Sequence, residues 1–128
     1  MFKKVLLVSA LVFMATAAIS VAKDKDDFCP ETYQRVLNGE KSFIGAKLEG
    51  ANFKNMDLSG ADFRGAELDR TDFKGANLTN VNFENADLDD ANLKGANVNG
   101  AIFKGAELEY AIWTDGRTCA EGSIGGCW

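Results

Sequence analysis

An apolar residue returns at every fifth position through most of this chain of 128 residues. Two residues before each of these anchors lies a small or apolar residue, which is alanine except at Lys41, Met56, Thr71 and Val81. Self-similarity at one fixed period indicates a repeat architecture, and it constrains the fold before helix or strand propensity is considered. The anchors run without a break of register: Phe43, Leu48, Phe53, Leu58, Phe63, Leu68, Phe73, Leu78, Phe83, Leu88, Leu93, Val98, Phe103, Leu108 and Trp113.

A period of five suits neither a helix nor a flat strand. On a helix successive anchors would scatter around the axis, and on a strand each odd step would move the anchor to the opposite face. The chain must therefore turn once per repeat. The alanine and the anchor lie two residues apart, so a short extended segment points both inward. Each repeat commonly ends in Gly or Asn, which tolerate the positive φ of a corner.

A second period of twenty residues lies on top of the first. Every twentieth residue from Phe43 is again phenylalanine, at 63, 83 and 103, and the next column holds Leu48, Leu68, Leu88 and Leu108. These columns predict four repeats per coil, so that each coil is a square and like residues stack over like. At about 4.8 Å between paired strands, the solenoid is roughly 18 Å tall.

The run AKLEG ANFKN MDLSG ADFRG AELDR TDFKG ANLTN resembles the pentapeptide repeat family, whose pattern is A-(N/D)-L-x-x. The resemblance covers residues 41–115. It implies an all-β fold, a right-handed quadrilateral β-helix of about four coils. The best-understood members of the family resemble a DNA duplex and act on DNA gyrase, whereas many others have no known activity, so the repeat alone does not imply that role.

Residues 1–22 are predicted to be a secretory signal peptide. Lys3 and Lys4 precede an apolar run, and Ser20-Val21-Ala22 is a small-x-small cleavage site. The alternative is an uncleaved membrane anchor. Without Lys3 and Lys4 the chain has 12 basic and 19 acidic residues, a net charge of −7. We expect an exported, periplasmic or secreted protein of the bacterial envelope, with no stable membrane insertion after cleavage.

Both ends of the solenoid are predicted to be covered. Residues 23–40 form a charged spacer and a helix from Pro30 to Gly39, whose stripe of Tyr33, Val36 and Leu37 caps the first coil. A partner-binding helix is the alternative. Residues 116–128 form a C-terminal loop cap in which Ile124 and Trp128 supply apolar cover. The outward residues Ile102 and Ile112 are expected beneath this tail, or in a homodimer interface.

The three cysteines predict one disulfide and one leftover thiol in an exported chain. Cys119 and Cys127 are close in sequence and can close a small loop. Cys29 lies at the far end of the stack, beyond disulfide reach, so it is either free or joins two chains. A metal site built from three cysteines without histidine is not expected.

No catalytic constellation is present in the sequence, which has no histidine, no nucleophile motif and no phosphate-binding glycine loop. We therefore expect neither an enzyme nor a bound cofactor, and no catalytic or metal residue is assigned. Two charged surfaces stand out instead. The first is an acidic ribbon on the Leu48 side, where only Lys47 is basic: Glu49, Glu67, Asp69, Asp87, Asp89, Glu107 and Glu109. The second is a basic stripe on the next side: Lys54, Lys74 and Lys94.

These surfaces have two interpretations. Duplication of a 20-residue unit can copy charges that solvent then screens, or the ribbon is a recognition surface. The favoured function is a non-enzymatic binding or scaffold module that presents this surface to a protein partner, which the acidic ribbon predicts to be basic. The alternatives are a DNA-mimic inhibitor of a type II topoisomerase, which export contradicts, and a weak divalent-cation binder. Nucleic acid is not an expected partner, and a homodimer is open.

Overall fold

The computed structural model describes residues 29–128, so the predicted signal peptide and the spacer up to residue 28 lie outside the described residues. Within that part, the chain forms one α-helix, α1, at Pro30–Leu37. The remaining ordered contacts are isolated β-bridges rather than continuous strands. No helix in the described part combines the length and the apolar character that a membrane crossing needs.

Helix α1 packs on the first coil through two side chains. Pro30 occupies the first turn, where a missing N–H costs nothing. Tyr33 and Val36 are buried, and the Tyr33 ring stacks on Phe53 with 5.4 Å between centroids. The Tyr33 hydroxyl donates to the Asn52 carbonyl at 2.9 Å. Leu37 is 41% exposed, so its place in the predicted stripe is wrong, because it lies a further 100° or so around the helix from Val36.

The chain then winds into a four-sided solenoid with parallel bridges between residues twenty apart. On one side Leu48 N–H donates to Glu67 O at 2.9 Å, and Glu67 N–H donates to Ala46 O at 2.8 Å. The four sides repeat this arrangement, with bridges from Ser42↔Asp62 at the bottom to Asn92↔Ile112 at the top. Each side is only one or two residues long because a corner follows at once. The register predicted from the 20-residue period is the observed one.

The interior consists of the predicted columns. The phenylalanine column stacks with ring centroids 5.3, 5.7 and 5.2 Å apart from Phe43 to Phe103. Leu48, Leu68, Leu88 and Leu108 form a fully buried column beside it. Thr71, in an alanine position, is also buried, and its hydroxyl donates to Leu48 O at 3.1 Å. The interior is thus filled by columns in which the anchors of successive coils pack directly on each other.

The corners adopt the left-handed conformation. Glycine occupies many of them, and Asn55, Asn80 and Asn85 take the same positive φ. Arg70, Asp90 and Tyr110 also have positive φ, between 57° and 58°, although larger side chains rarely adopt it. Just before the anchors, Asn or Asp side chains accept a hydrogen bond from the backbone N–H two residues later, as Asn52 does from Lys54 at 3.1 Å. These turns fix the approach to each corner.

The solenoid ends where the chain reverses after Trp113. The tail forms antiparallel bridges over two sides only, Ile112↔Thr118 and Glu107↔Ile124. Ile112 is thereby half-buried, but Ile102 is 47% exposed, and its expected cover by the tail is wrong. Ile124 and Trp128 are 54% and 67% exposed, so they do not supply the apolar cover. Cys119 and Ser123 are the buried tail residues instead.

Candidate interaction surface

The acidic ribbon occupies two adjacent rows along one side of the solenoid. The first row is a ladder of parallel bridges, Lys47↔Glu67, Glu67↔Asp87 and Asp87↔Glu107. The second row follows the anchors at the corner and contains Glu49, Asp69, Asp89 and Glu109. Backbone bonds between successive coils hold this row in register, for example Arg70 N–H to Asp89 O at 2.8 Å. The fold therefore brings all seven predicted carboxylates together.

The lower half of the ribbon is largely compensated within the protein, since two cations face its three carboxylates. Arg70 forms ion pairs with Glu49 and with Asp69, the latter at 3.4 Å. Lys47 Nζ lies 3.8 Å from Glu67 Oε2. Arg70 was not singled out from the sequence, because it occupies a corner position that normally holds glycine or asparagine. Its place in the column of residues 50, 70, 90 and 110 is the signal that would have found it.

The upper half of the ribbon consists of Asp87, Asp89, Glu107 and Glu109. Within residues 29–128, none of these four carboxylates forms an ion pair with a lysine or arginine. One oxygen from each of Asp87, Asp89 and Glu107 lies within 4.8 Å of the others. The ribbon is therefore divided into a compensated lower half and an upper half of concentrated negative charge.

The crowding of negative charge in the upper half affects the pKa of Asp89. Burial raises the pKa of its carboxyl above the usual value, and the neighbouring charges of Asp87, Glu107 and Glu109 raise it further. A hydrogen bond from the Glu109 backbone N–H at 2.8 Å acts in the opposite direction. A cation placed beside this cluster would relieve the repulsion, which makes the upper half an attractive surface for positive charge.

The four carboxylates of the second row are only partly accessible to solvent. The Glu49 side chain is only 12% exposed beside Arg70. Asp89 turns toward the next coil to accept its hydrogen bond from Glu109. Residues that follow an anchor already lie in the corner, where neighbouring coils crowd them. The accessible upper charge is therefore contributed mainly by Glu107, whereas Asp87 and Glu109 are half-buried.

Tyr110 borders the upper half of the ribbon and was not identified from the sequence. Its ring is exposed on a corner of positive φ. The negative charge of Glu121 is the main cause that raises the pKa of its phenol, and partial burial and the charge of Glu109 raise it further. Glu121 comes from the tail, so the tail extends the acidic surface beyond the repeat. Tyrosine is enriched in protein contact surfaces relative to the rest of a protein's surface.

The basic stripe lies on the neighbouring side of the solenoid. Lys54, Lys74 and Lys94 are all exposed, and they stack in one column since Asn55 N–H donates to Lys74 O and Gly75 N–H to Lys94 O. The aliphatic end of the Lys94 side chain passes close to Gly116 in the tail. None of the three forms an ion pair with the described residues. The stripe is a separate solvated surface and does not compensate the ribbon.

The cysteines fall at opposite ends of the molecule. Cys119 and Cys127 form a disulfide with a Cα–Cα distance of 4.9 Å, which closes the tail. Cys29 precedes α1, and its thiol is not part of a disulfide. A hydrogen bond with the Thr32 side chain is the main cause that lowers the pKa of the Cys29 thiol.

Comparison with known proteins identifies the repeat. The family model for pentapeptide repeats matches residues 42–75 and 66–105, in eight copies, so the matches together cover half of the chain. The chain belongs to the pentapeptide repeat family. Members of this family fold as right-handed quadrilateral β-helices, which agrees with the four-sided solenoid described above. No curated protein matches the chain.

Solved structures of pentapeptide repeat proteins resemble this one. A pentapeptide repeat protein of the thylakoid lumen of Arabidopsis thaliana is 33% identical, with a TM-score of 0.56, over 67% of this chain and 66% of the other. HetL of the cyanobacterium Nostoc, involved in heterocyst differentiation regulation, is 32% identical over 60% of this chain and 42% of its own, with a TM-score of 0.35. A pentapeptide repeat protein of the cyanobacterium Cyanothece is 34% identical over 66% and 64%, with a TM-score of 0.33. This chain thus spans less than two thirds of each of these proteins.

Proposed function

We propose that this pentapeptide repeat protein is a non-enzymatic binding or scaffold module of the cell envelope, which presents the upper half of its acidic ribbon to a basic protein partner. The observation that carries the proposal is that the lower half of the ribbon is ion-paired with basic side chains and the upper half is not. Arg70 and Lys47 form ion pairs with all three lower carboxylates, whereas Asp87, Asp89, Glu107 and Glu109 form none with a lysine or arginine among the described residues. A copied and functionless pattern gives no reason for this difference along one column.

The chemistry of the surface supports a basic partner. Rigid carboxylates of one sign raise the local concentration of positive groups and speed their encounter with the surface. Tyr110 adds an exposed aromatic ring beside the charge, over which a lysine or arginine side chain can stack. Because these groups are exposed or half-buried, the attraction is screened by salt within about 10 Å at 0.1 M.

A second function, weak divalent-cation binding, is favoured by the three oxygens within 4.8 Å at Asp87, Asp89 and Glu107. Calcium prefers six to eight oxygen ligands, and three carboxylates on one face supply fewer. The cation would therefore be held loosely and keep several waters. Titration with Ca²⁺ followed by NMR of the Asp89 and Glu107 amides tests this function. Saturable shifts that disappear in Asp87→Asn support it, and shifts no larger than those near Glu31 exclude it.

Export is the second part of the proposal. It is supported by the signal-like residues 1–22, by the Cys119–Cys127 disulfide, which oxidising compartments favour, and by the relative from a thylakoid lumen. N-terminal sequencing of the protein purified from the envelope fraction should begin at Lys23. Recovery of a chain that starts at Met1 in a membrane fraction would show an uncleaved anchor instead.

The partner surface is tested by crosslinking and capture from the envelope fraction at low and moderate salt. The test variant carries Asp87→Asn, Glu107→Gln and Glu109→Gln, which remove three charges from the upper half. The control carries Asp57→Asn, Asp72→Asn and Glu84→Gln, which remove three charges from the other three sides. We expect the test variant to lose partners that the wild type captures at low salt and the control to retain them. Equal capture by both variants, with the same salt dependence, would refute the proposal.

A further inference from the structure

The basic stripe lies beside two rows of polar side chains, most of which are neutral. The first row precedes the anchors on the same side of the solenoid and contains Asn52, Asp72 and Asn92. The second row lies on the side that follows and contains Asp57, Asn77 and Asn97. Parallel bridges join the successive members of each row, for example Asp72↔Asn92 and Asn77↔Asn97. The stripe and the two rows therefore form one continuous surface, which we call the donor face.

The asparagines of the donor face use their amide oxygens within the protein. Asn52 Oδ1 accepts from the Lys54 N–H at 3.1 Å, and Asn92 Oδ1 accepts from the Lys94 N–H at 3.0 Å. Asn77 and Asn97 accept from the N–H two residues later in the same way. Because these bonds fix which end of each amide is the oxygen, the NH₂ group is the end that remains. The four NH₂ groups donate to no acceptor among residues 29–128, and all are open to solvent.

The ammonium groups of the stripe add positive charge to these donors. Lys54, Lys74 and Lys94 are exposed, and each lies one coil, about 4.8 Å, from the next. No carboxylate of the described chain pairs with them. The two carboxylates of the face, Asp57 and Asp72, are engaged by the backbone N–H two residues later, at 3.1 and 2.9 Å. A matching ligand therefore supplies negative charge and hydrogen-bond acceptors in a row.

The composition of the donor face excludes two kinds of acidic ligand. Its outward residues between 52 and 99 include no aromatic ring on which a nucleic-acid base could stack and no arginine that could hold a phosphate through two bonds. They also include no apolar side chain that could form the dry centre of a protein contact. A polymer of acidic sugars needs none of these groups, since its carboxylates pair with ammonium groups and its hydroxyl and ring oxygens accept from amides.

We propose that the donor face binds an extended acidic polysaccharide, with its carboxylates along Lys54, Lys74 and Lys94 and its hydroxyl and ring oxygens on the asparagine amides. The glycan runs parallel to the solenoid axis because the lysine column does, and one coil is close to the length of one sugar unit. The acidic ribbon on the adjoining side repels the polymer and confines it to this face. The site is separate from the surface proposed to attract a basic protein, so either can fail without the other.

The first test is the affinity of a polyuronate oligomer of defined length for the purified chain, measured by calorimetry at low salt. The stripe variant carries Lys54→Gln, Lys74→Gln and Lys94→Gln. The control carries Lys47→Gln, Arg64→Gln and Lys104→Gln, which remove three exposed cations from the other two sides. We expect the stripe variant to bind at least about tenfold more weakly than the control and to lose most of the salt dependence. Equal affinities of the two variants, or no binding by the wild type, would overturn the proposal.

The second test concerns the amides and keeps the backbone turns intact. Asn92→Asp replaces an NH₂ group by a carboxylate oxygen, and the aspartate can accept the N–H two residues later as Asp72 does. Asn82→Asp is the matched control, because Asn82 is half-buried in the same coil, makes the same turn to Glu84 at 2.9 Å and lies outside the donor face. Asn92→Asp should weaken polyuronate binding several-fold and Asn82→Asp should not, whereas Asp72→Asn should strengthen it. Equal effects of the two Asn→Asp changes would contradict a role of the amides.

The third test distinguishes the glycan from other polyanions. Polyglutamate and oligothymidylate with the same number of charges are titrated into the wild type beside the polyuronate, with neutral dextran as the uncharged control. We expect the polyuronate to bind several-fold more tightly than either, and dextran to show no measurable binding. Polyglutamate or oligothymidylate bound as tightly as the polyuronate would show that the face responds to charge alone, and would overturn its assignment to a polysaccharide.

Discussion

The carboxylate of Asp89 accepts a hydrogen bond from the backbone N–H of Glu109, one coil above, at 2.8 Å. Elsewhere an Asn or Asp just before the anchor accepts from the N–H two residues later, as Asn92 does from Lys94 at 3.0 Å. Before the anchor Leu108 the corresponding residue is Glu107, and its longer side chain does not accept the hydrogen bond from the Glu109 N–H two residues later. Asp89 takes over the bond from the coil below, so this member of the ribbon has a structural role.

Asp89→Asn should therefore stabilise the protein at neutral pH. The amide oxygen can still accept from Glu109, and the repulsion by Asp87, Glu107 and Glu109 is removed. Like charges across paired strands cost about 0.2–1 kcal/mol, and a gain of this size is expected in denaturant melts. Asp89→Ala is the control: it removes the same charge and also the acceptor, so it should be less stable than Asp89→Asn by about 1 kcal/mol. Equal stability of the two variants would contradict the structural role of the bond.

Asp89 should also affect how the stability of the protein depends on pH. The pKa of Asp89 is raised in the folded state, so the folded protein binds this proton more tightly than the unfolded chain. The resulting contribution favours folding at low pH and is lost as pH rises from the unfolded pKa, near 4, through the raised folded pKa. Asp57 and Asp62, whose pKa values are lowered by bonds to Ser59 and Arg64, act in the opposite direction and lose their contribution at acidic pH. The difference in free energy of unfolding between the wild type and the Asp89→Asn variant should therefore fall as pH rises. A difference that is constant from pH 3 to 7 would contradict the raised pKa.

Substitution of Gly75 tests whether this corner lies directly over Asn55 of the coil below. A Cβ on Gly75 would overlap Asn55 Oδ1, in addition to meeting the strain of a φ of 69°. Gly45 has a φ of 65° with nothing within 4 Å of the added Cβ, so Gly45→Ala measures the strain alone, about 1–2 kcal/mol. We expect Gly75→Ala to cost more than Gly45→Ala, and Asn55→Gly to remove the excess in a double-mutant cycle. No coupling between positions 55 and 75 would argue against the 20-residue register.

The core column predicts a large difference between two single substitutions. Leu88 is fully buried in the column between Leu68 and Leu108, so Leu88→Ala should lower the free energy of unfolding by about 2–5 kcal/mol. Lys74→Ala, on the exposed basic stripe, should change it by less than about 0.5 kcal/mol. Denaturant melts of both variants measure this. Similar midpoint shifts would contradict the inward direction of the leucine column.

The tail predicts a specific cross-link. Mass spectrometry after non-reducing digestion should recover a peptide pair that joins Cys119 to Cys127, with Cys29 outside that pair. Loss of the bridge in Cys127→Ser should cost about 2–4 kcal/mol, the usual effect of a small closed loop. A bond between Cys29 and either tail cysteine of the same chain would be incompatible with their places at opposite ends of the stack.

The sequence predicted the regular part of this fold because every repeat states the same constraint. The anchors from Phe43 to Trp113 lie where the five-residue period places them. The columns follow from the twenty-residue period, which corresponds to four repeats per coil. The ends were predicted less well, since they occur once each and are not reinforced by repetition. Leu37 fits a helical spacing but lies off the buried stripe, and Trp128 is apolar yet exposed, because the tail forms bridges with two sides only.

The candidate surface shows a similar division. The membership of the ribbon follows from the register, and the structure brings those seven carboxylates onto one side. Their compensation depends on where long side chains reach, which spacing does not specify. Arg70 reaches down to Glu49, and Glu121 reaches Tyr110 from a tail whose path has no repeat. The unequal charge of the two halves was therefore visible only in the structure.

The uncompensated upper half of the ribbon is the surface proposed to attract a basic partner. The most direct measurement is the affinity of a lysine-rich peptide, determined by calorimetry at low salt, for the wild type and for two variants with equal net charge. One variant carries Glu107→Gln and Glu109→Gln in the upper half, and the other carries Glu49→Gln and Glu67→Gln in the lower half. We expect the upper variant to bind several-fold more weakly than the lower variant, with a smaller loss of affinity on adding salt. Equal affinities of the two variants would show that the peptide responds only to net charge, and would contradict a partner site in the upper half.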